Sequence, residues 1–267
     1  MPVIKSNVHT HTNFCDGENS MEEMARAAAE KGFTTLGFSF HSYTPFDKSY
    51  CIRDYYAYMQ EFSRVKKLYA GKTELLNGVE LDLYGQRPSL CDYVIGSVHY
   101  LKEGKRYFPI DFFKELFGDI VSKVYKGDAM AAVKRYYAEV CELVTAVNPD
   151  IYGPLDLITR YNSGGVFFDE NGALYKKYAS DAVAALPQGA LVEINFGRLF
   201  KGEGGLYPSD WLLSALCERG CRFILSSDAH CTRALGYGFD EALPRLKALG
   251  IKSLCYYNGL NLTQTEI

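Results

Sequence analysis

Short apolar runs rich in β-branched and aromatic residues alternate with amphipathic segments along the chain, and this alternation limits the possible folds most. The runs typical of β-strands cover residues 3–9, 34–40, 73–83, 91–100, 150–158, 190–196, 221–230 and 252–257. The segments with helical periodicity cover residues 20–32, 53–71, about 109–126, 128–147, 171–189, 208–220 and about 239–249. Strand–helix alternation predicts an α/β fold with a parallel sheet. At a length of 267 residues, a closed or distorted barrel is favoured over an open sheet.

Local signals support these segment boundaries. Ser20 and Glu23 match the capping-box pattern at the start of helix 20–32, and Gly32 follows at its end. The glycine-rich segments 162–166 and 201–208 are predicted to be mobile surface loops. No fixed-period repeat, low-complexity tract or linker divides the sequence, so residues 1–267 are predicted to form a single domain.

Charge and cysteine usage argue against several classes of protein. The formal net charge of -3 provides no basic field that would attract nucleic acid or a membrane surface. Neither a signal-peptide pattern nor an apolar run of about 18 residues is present, so no secretory leader and no membrane-spanning helix are expected. The eight cysteines form no C-x-x-C pair, which predicts reduced thiols in a cytoplasmic protein. The sequence leaves the oligomeric state open.

All five histidines fall at the C-terminal ends of predicted strands or just past them. They are joined there by three acidic residues, and the set comprises His9, His11, His41, His99, His230, Asp16, Glu80 and Asp228. In a parallel barrel these strand ends converge on the face where active sites are built. A single histidine at a strand end is more often an ordinary polar residue, but eight such groups on one face predict a metal site. Imidazole and carboxylate are the ligands that zinc, iron and manganese prefer.

The segments that contain these residues resemble the motifs of the polymerase and histidinol phosphatase (PHP) family. The matching stretches are, in order, VHTHTNFCDG, GFSFHS, NGVELD, IGSVHY, EIN and SSDAH. LDLITRYN and GLYPSDWLL are similar, more narrowly, to the histidinol-phosphate phosphatase branch. The resemblance runs from residue 7 to about residue 240. It implies a distorted (β/α)7 barrel of the TIM-barrel-like PHP type, so one of the eight strand candidates would be peripheral.

The resemblance also implies two or three divalent transition-metal ions (zinc, iron or manganese) and a division of their ligands. His9 and His11 would bind one ion with Glu80 and Asp228. Glu80 would bridge to a second ion held by His99, and Asp16, His41 and His230 would hold a third.

Two positions depart from the family pattern. Pro154 stands in YGPLDL where relatives have the histidine of a G-H-x-D segment, and proline has no side-chain donor atom. The second ion would then be weakly bound, completed by water or phosphate, or rescued by a neighbour such as Asp156. Phe40 stands where relatives often have an acid before the histidine.

The function implied is that of a metal-dependent phosphomonoesterase. It would hydrolyse L-histidinol phosphate to L-histidinol and phosphate, in histidine biosynthesis, by attack of a hydroxide that bridges the metal ions. Arginine matches two phosphate oxygens with its planar fork, so the candidate phosphate-binding residues are Arg160 and Arg198, with Lys201 beside them. Asn195 and Tyr161 are predicted to line the pocket.

Other functions stay open from the sequence. A phosphoesterase of the same family could act on another phosphorylated metabolite or on nucleotides. An amidohydrolase-type enzyme shares the H-x-H pattern, but no lysine suits the carboxylated lysine that such enzymes often use. A non-catalytic phosphate-binding protein would follow if Pro154 marks a degenerate site. An exonuclease is disfavoured because the chain is short, slightly acidic and without a basic stripe.

Overall fold

The computed structural model describes residues 4–267 and contains a nine-stranded sheet with a separate two-stranded hairpin. Val3, the first residue of predicted strand 3–9, lies outside the described residues. The strands are β1 (Ser6–Asn7), β2 (Thr35–His41), β3 (Glu74–Asp82), β4 (Tyr93–Ser97), β5 (Tyr100–Glu103), β6 (Arg106–Pro109), β7 (Ile151–Tyr152), β8 (Leu191–Asn195), β9 (Arg222–Ser226), β10 (Ser253–Asn258) and β11 (Asn261–Glu266). In the large sheet their order is β1-β2-β3-β4-β7-β8-β9-β10-β11.

The sheet curls until the segments that follow β1 and β9, its first and seventh strands in spatial order, meet. From β1 to β9 every neighbouring pair is parallel. Beyond these strands Thr10 forms a parallel bridge with Ala229. Ala229 O accepts a hydrogen bond from the backbone N–H of His11 at 2.8 Å, and the N–H of Ala229 donates to His9 O at 3.1 Å. The predicted distorted α/β barrel is therefore confirmed.

The peripheral strand is the last of the eight candidates. β10 pairs with β9 at the single register position Cys255–Ile224, and β11 then pairs with β10 in the antiparallel direction. β11 was missed from the sequence, although Gly259 at the first position of the two-residue loop Gly259–Leu260 is a typical hairpin signal. Gly259 has a φ of +58°, which is the conformation such a turn requires.

Each of the seven predicted helical segments contains a helix. The helices are α1 (Met21–Glu30), α2 (Tyr55–Tyr69), α3 (Lys114–Lys123), α4 (Ala129–Ala146), α5 (Ala173–Ala185), α6 (Gly197–Phe200), α7 (Asp210–Glu218) and α8 (Phe239–Ala248). The capping box of α1 is confirmed, because Ser20 accepts from the N–H of Glu23 while Glu23 accepts from the N–H of Ser20. None of the helices within residues 4–267 is both long enough and apolar enough to cross a membrane.

Several segments differ from the sequence-based prediction, and predicted strands 3–9 and 221–230 are shortened to Ser6–Asn7 and Arg222–Ser226. Helix 109–126 begins only at Lys114 and ends at Lys123, and Pro109 belongs instead to a hairpin in which Arg106–Pro109 pairs with Tyr100–Glu103. Strand 150–158 shrinks to Ile151–Tyr152, followed by a short 3-10 helix at Leu157–Thr159. Pro154 lies between these two elements, and proline cannot donate to a strand ladder. Segment 201–208 is only partly a surface loop, because its last residues before Pro208, Leu206 and Tyr207, are buried.

The barrel interior is packed by Tyr93, which supports the site above it. The Tyr93 hydroxyl donates to the carbonyl of Val8 at 2.6 Å, one residue before His9. Gly37 and Gly78 leave the space for this ring, because a Cβ at either position would lie 2.1 Å from an atom of Tyr93. The close packing of the Tyr93 ring fixes the position of the segment that begins with His9 along the barrel axis.

Candidate metal centre

The first two histidines lie in the extended segment that follows β1. His9 and His11 flank the bridged residue Thr10, so their side chains point to the same side, and their ring centroids are 5.1 Å apart. The loop after them folds back tightly at Gly17, where a Cβ would lie 2.6 Å from the backbone nitrogen of Thr12. This turn brings Oδ1 of Asp16 to 3.7 Å from Nδ1 of His11.

Glu80 lies at the centre of the cluster. It sits in β3 opposite His41, which ends β2. Its Oε2 atom is 3.2 Å from Nε2 of His9, 3.5 Å from Nε2 of His11 and 3.0 Å from Nδ1 of His41. Its Oε1 atom is 3.3 Å from Nε2 of His99. One buried carboxylate thus faces four imidazoles, as a group that bridges two cations would.

Asp16 and Asp228 connect the remaining histidine to the cluster. Oδ2 of Asp16 lies 3.4 Å from Nε2 of His41 and 3.2 Å from Nε2 of His230. Oδ1 of Asp228 lies 3.2 Å from Nε2 of His11 and 3.6 Å from Nδ1 of His230. All eight residues that the sequence singled out as candidate ligands therefore meet at one mouth of the barrel.

Three overlapping groups within the cluster have their candidate ligand atoms within 4.8 Å of one another. They are His11, Asp16, His41 and His230; His9, His11 and Glu80; and His41, Glu80 and His99. His9 Nε2, His11 Nε2 and Glu80 Oε2 are buried and have no hydrogen-bond partner among residues 4–267. Buried polar atoms without protein partners are rare, and a bound ion or water often satisfies them. These residues therefore fit bound divalent cations.

The carboxylates of the cluster are held in their ionised form. Burial alone would raise the pKa of Glu80, but His9 and His41 outweigh burial and hold that pKa well below its usual range. Burial would likewise raise the pKa of Asp228, and His9 is the main charge that holds it well below its ordinary value instead. Ionised carboxylates are the form that binds a cation.

The imidazoles differ in their protonation. Burial, with help from His230 and His41, lowers the pKa of His11 to about 3, so this ring is neutral at physiological pH. Burial would also lower the pKa of His99, but Glu80 outweighs it and raises that pKa to about 10. Without a cation, imidazolium therefore balances part of the carboxylate charge. A divalent cation would take over that role and release protons.

Glu193, which was not predicted from the sequence, orients His9 from behind. Its Oε2 atom lies 2.6 Å from Nδ1 of His9 and also accepts from Oγ of Ser226 at 2.6 Å. Its Oε1 atom accepts from Nδ2 of Asn195 at 2.7 Å. A hydrogen on Nδ1 of His9 leaves Nε2 free to face the cluster. The available signal was an acid flanked by apolar residues in the buried strand β8.

Asp82 supports His99 chiefly through its backbone and was also missed. Its Oδ2 atom accepts the backbone N–H of His99 at 2.9 Å and lies 3.3 Å from Nδ1 of the same residue. Its Oδ1 atom accepts the N–H of Tyr84 at 2.8 Å. Asp82 is two residues after Glu80 on β3, so both carboxylates point to the same side of the strand.

Asn195 lies beneath the cluster rather than in the pocket wall. Besides its bond to Glu193, its Nδ2 atom donates to Oδ2 of Asp228 at 3.2 Å. Asp228 has a φ of +47°, a left-handed conformation that aspartate tolerates better than most residues. Such strain is concentrated at functional sites, and here it accompanies a carboxylate turned toward His11.

A cavity of about 210 Å³ opens above the cluster. Arg160, Arg198 and Lys201 lie in its wall, as does Pro154. Tyr161 packs beside Arg160 and donates its hydroxyl to the carbonyl of Asp111 at 2.8 Å. The volume is below the roughly 300–1,000 Å³ of pockets for drug-sized ligands, so it suits a small substrate. A larger cavity of about 670 Å³, lined in part by α8, contains none of the five histidines.

Asp156, the neighbour that could replace the ligand missing at Pro154, and Phe40, the second departure from the family pattern, have defined environments. Asp156 is fully buried and accepts the N–H of Ser209 at 2.8 Å, and it does not line the cavity. Burial raises the pKa of Asp156 to about 6. Phe40 packs its ring 4.7 Å from that of Tyr58 on α2 and belongs to the core.

The convergent imidazoles and carboxylates at the mouth of a distorted parallel barrel define a metal-binding α/β-barrel protein with a multinuclear site. Within that class, the chain belongs to the PHP domain family, whose model matches residues 7–196.

Known proteins resemble the chain over most of its length. The histidinol-phosphatase of Bacillus subtilis is 25% identical, over 90% of this chain and 99% of the relative. The histidinol phosphate phosphatase of Lactococcus lactis, solved with zinc, L-histidinol and phosphate, has a TM-score of 0.72 at 20% identity, covering 98% of this chain and 100% of the other. One chain from a structural study of metal-dependent tyrosine phosphatases of Bacillus subtilis and Streptococcus pneumoniae gives a TM-score of 0.50 at 18% identity, covering 92% of this chain and 87% of the other.

Proposed function

We propose that this protein is a metal-dependent phosphomonoesterase that hydrolyses L-histidinol phosphate to L-histidinol and phosphate. The observation that carries the proposal is the set of buried, unpartnered atoms on His9, His11 and Glu80, among residues 4–267, beneath a small cavity with cationic side chains in its wall. The histidinol-phosphatase of Bacillus subtilis, which resembles almost the whole chain, supports the choice of substrate.

Two or three divalent ions (zinc, iron or manganese) would be held by the eight residues of the cluster. One position is served by His9, His11, Glu80 and Asp228; Glu80 and His99 serve a second; Asp16, His41 and His230 serve a third. His41 faces both Glu80 and Asp16, so it could also contribute to the second position. Bound ions supply a nucleophile at neutral pH and neutralise charge on the phosphoryl oxygens.

Arg198 and Lys201 are the residues best placed to bind the phosphate group. Both line the cavity, and no carboxylate within residues 4–267 lies within 4.0 Å of either cationic group. Nη1 of Arg198 donates to Oγ1 of Thr159 at 3.3 Å, and its guanidinium lies 5.4 Å from the ring centroid of Tyr207. These contacts fix the fork in one orientation, which favours bidentate binding of phosphate. Arg160 has two carboxylate neighbours and is therefore less free to bind an anion.

Pro154 weakens the second metal position. Its side chain offers no donor, and its carbonyl already accepts the hydroxyl of Tyr136 at 3.0 Å. The carboxylate of Asp156 accepts the backbone N–H of Ser209, and Asp156 does not line the cavity. We expect an ion at Glu80 and His99 to take its remaining ligands from water or from substrate phosphate.

The experiment is release of inorganic phosphate from a panel of substrates, combined with metal analysis of the same samples. The panel contains L-histidinol phosphate, a mononucleotide, a phosphotyrosine peptide and a phosphodiester. The proposal predicts the highest kcat/KM for L-histidinol phosphate and loss of turnover on chelation. A preference for another ester would indicate a family member with a different substrate. Phosphate binding without turnover of any ester would favour a non-catalytic protein.

We propose further that residues 1–267 act as a single catalytic domain and that the protein functions in the cytoplasm. One hydrophobic cluster extends from Ile4 to Leu254, which supports the first statement. All eight cysteines are free thiols, which is usual in a reducing compartment. Limited proteolysis and cell fractionation test these two statements.

A further inference from the structure

Three charged side chains outside the metal cluster meet in the wall of the cavity: Asp111, Arg160 and Glu203. Oδ2 of Asp111 lies 3.7 Å from Nη1 of Arg160, and Oε2 of Glu203 lies 3.3 Å from Nε of the same guanidinium. We call these residues the carboxylate–arginine triad. One positive charge against two negative charges leaves the triad with a net charge of -1.

Both carboxylates of the triad belong to backbone segments that neighbouring side chains hold in place. The carbonyl of Asp111 accepts the hydroxyl of Tyr161 at 2.8 Å. The carbonyl of Glu203 accepts Nε of Arg198 at 3.1 Å. Gly204 allows this close contact, since a Cβ there would lie 2.5 Å from Nε of Arg198. The backbone of both residues is therefore anchored in the cavity wall, and Arg160 is the cationic partner that draws the half-buried Asp111 carboxylate and the more exposed Glu203 carboxylate together.

A negative group beside a phosphate-binding cavity is unfavourable on its own, because it repels a phosphate dianion. The cost is offset when the substrate carries a cation as well as a phosphate. L-Histidinol phosphate has this charge pattern, since its protonated primary amine is attached to the carbon next to the one that bears the phosphate ester. Opposite charges at two places in one small cavity then align the substrate.

We infer that the carboxylate–arginine triad recognises the ammonium group of the substrate, with Asp111 and Glu203 accepting its N–H groups. Arg160 holds the two carboxylates apart and balances one of them. This inference rests on the proposed function and specifies its substrate class, the phosphate monoesters of vicinal amino alcohols. Arg198 and Lys201 would bind the phosphate end, so selection of the amine and binding of the phosphate involve different residues.

The test compares pairs of esters that differ only in the amine. The first pair is L-histidinol phosphate and the phosphate ester of imidazolylpropanol; the second is phosphoethanolamine and ethyl phosphate. The amine preference is the ratio of kcat/KM within a pair, or of Kd where no phosphate is released. It is measured for the metal-loaded parent, Asp111→Asn, Glu203→Gln and the surface control Glu218→Gln.

The inference predicts a clear amine preference in the parent and a fall of about tenfold in each triad variant, with no fall in Glu218→Gln. It is overturned if the parent shows no amine preference, if neither member of a pair binds, or if both triad variants keep the parental ratio. A variant that loses both members of a pair equally would assign the triad a purely structural role. Failure to hydrolyse L-histidinol phosphate alongside a retained amine preference would contradict the proposed function only.

Discussion

Glu193→Gln is predicted to weaken binding of zinc although Glu193 lies outside the proposed ligand set. The side chain is fully buried, and its two oxygens accept from His9, Ser226 and Asn195. A glutamine has one oxygen and one NH₂ group. It must therefore turn a donor toward either Asn195 or the pair His9 and Ser226, and it also removes the negative charge behind the His9 ring. At least one hydrogen bond is lost in either orientation.

Loss of such a supporting partner typically costs about 10–100-fold in metal affinity, which corresponds to about 1.4–2.8 kcal/mol. The assay is competition for zinc with a chromophoric chelator at neutral pH, with thermal unfolding of the zinc-free proteins as a check on folding. Glu218→Gln on the surface of α7 is the matched control and should bind zinc like the parent. A zinc Kd for Glu193→Gln within twofold of the parental value would refute the role of Glu193 in orienting His9.

Three further results are expected. Pro154→His should raise the zinc content and the rate of phosphate release. Pro154→Ala, which adds no donor, should raise neither. Equal zinc content in the two variants would contradict the interpretation that Pro154 replaces a metal ligand. Removal of zinc should lower the midpoint of thermal unfolding, because a ligand present at about 1,000 times its Kd raises the free energy of unfolding by about 4 kcal/mol. An unchanged midpoint would argue against a bound ion. Asp156 has a folded-state pKa raised by burial to about 6, so its contribution to stability is present below about pH 4 and lost as pH rises toward 6. Asp156→Asn should therefore gain stability relative to the parent over this interval, by about 3 kcal/mol in urea unfolding, whereas a pH-independent difference would show that Asp156 does not titrate there.

The sequence was sufficient to predict which residues would meet at the barrel mouth. Strand ends can be recognised from apolar runs, and in a parallel barrel the C-terminal ends of all strands lie on the same face. His9, His41 and His99 could therefore be assigned to one face before any contact was known. Their spacing could not show how the imidazoles distribute among ions, since His41 lies within reach of both Glu80 and Asp16.

The supporting residues were less predictable because they are defined by contacts between distant segments. Glu193 is separated by 184 positions from His9. Its contact with His9 depends on the closure of the barrel, which brings β8 and β9 next to the segment that follows β1. The β5–β6 hairpin was missed because residues 101–108, to which no element was assigned, include several charged side chains and no extended apolar run. Closure through Thr10 and Ala229 likewise depends on the curl of the whole sheet, which no local pattern encodes.

The most direct test of the metal centre is a crystal structure of the zinc-loaded protein with anomalous data collected on both sides of the zinc edge. We expect anomalous peaks at about 2.0–2.2 Å from Nε2 of His9 and His11 and from ligand atoms of Asp16, His41 and His230. The peak between Glu80 and His99 should be weaker than the others. Absence of an anomalous peak among these residues, or zinc bound only elsewhere on the protein, would contradict a metal centre at the barrel mouth.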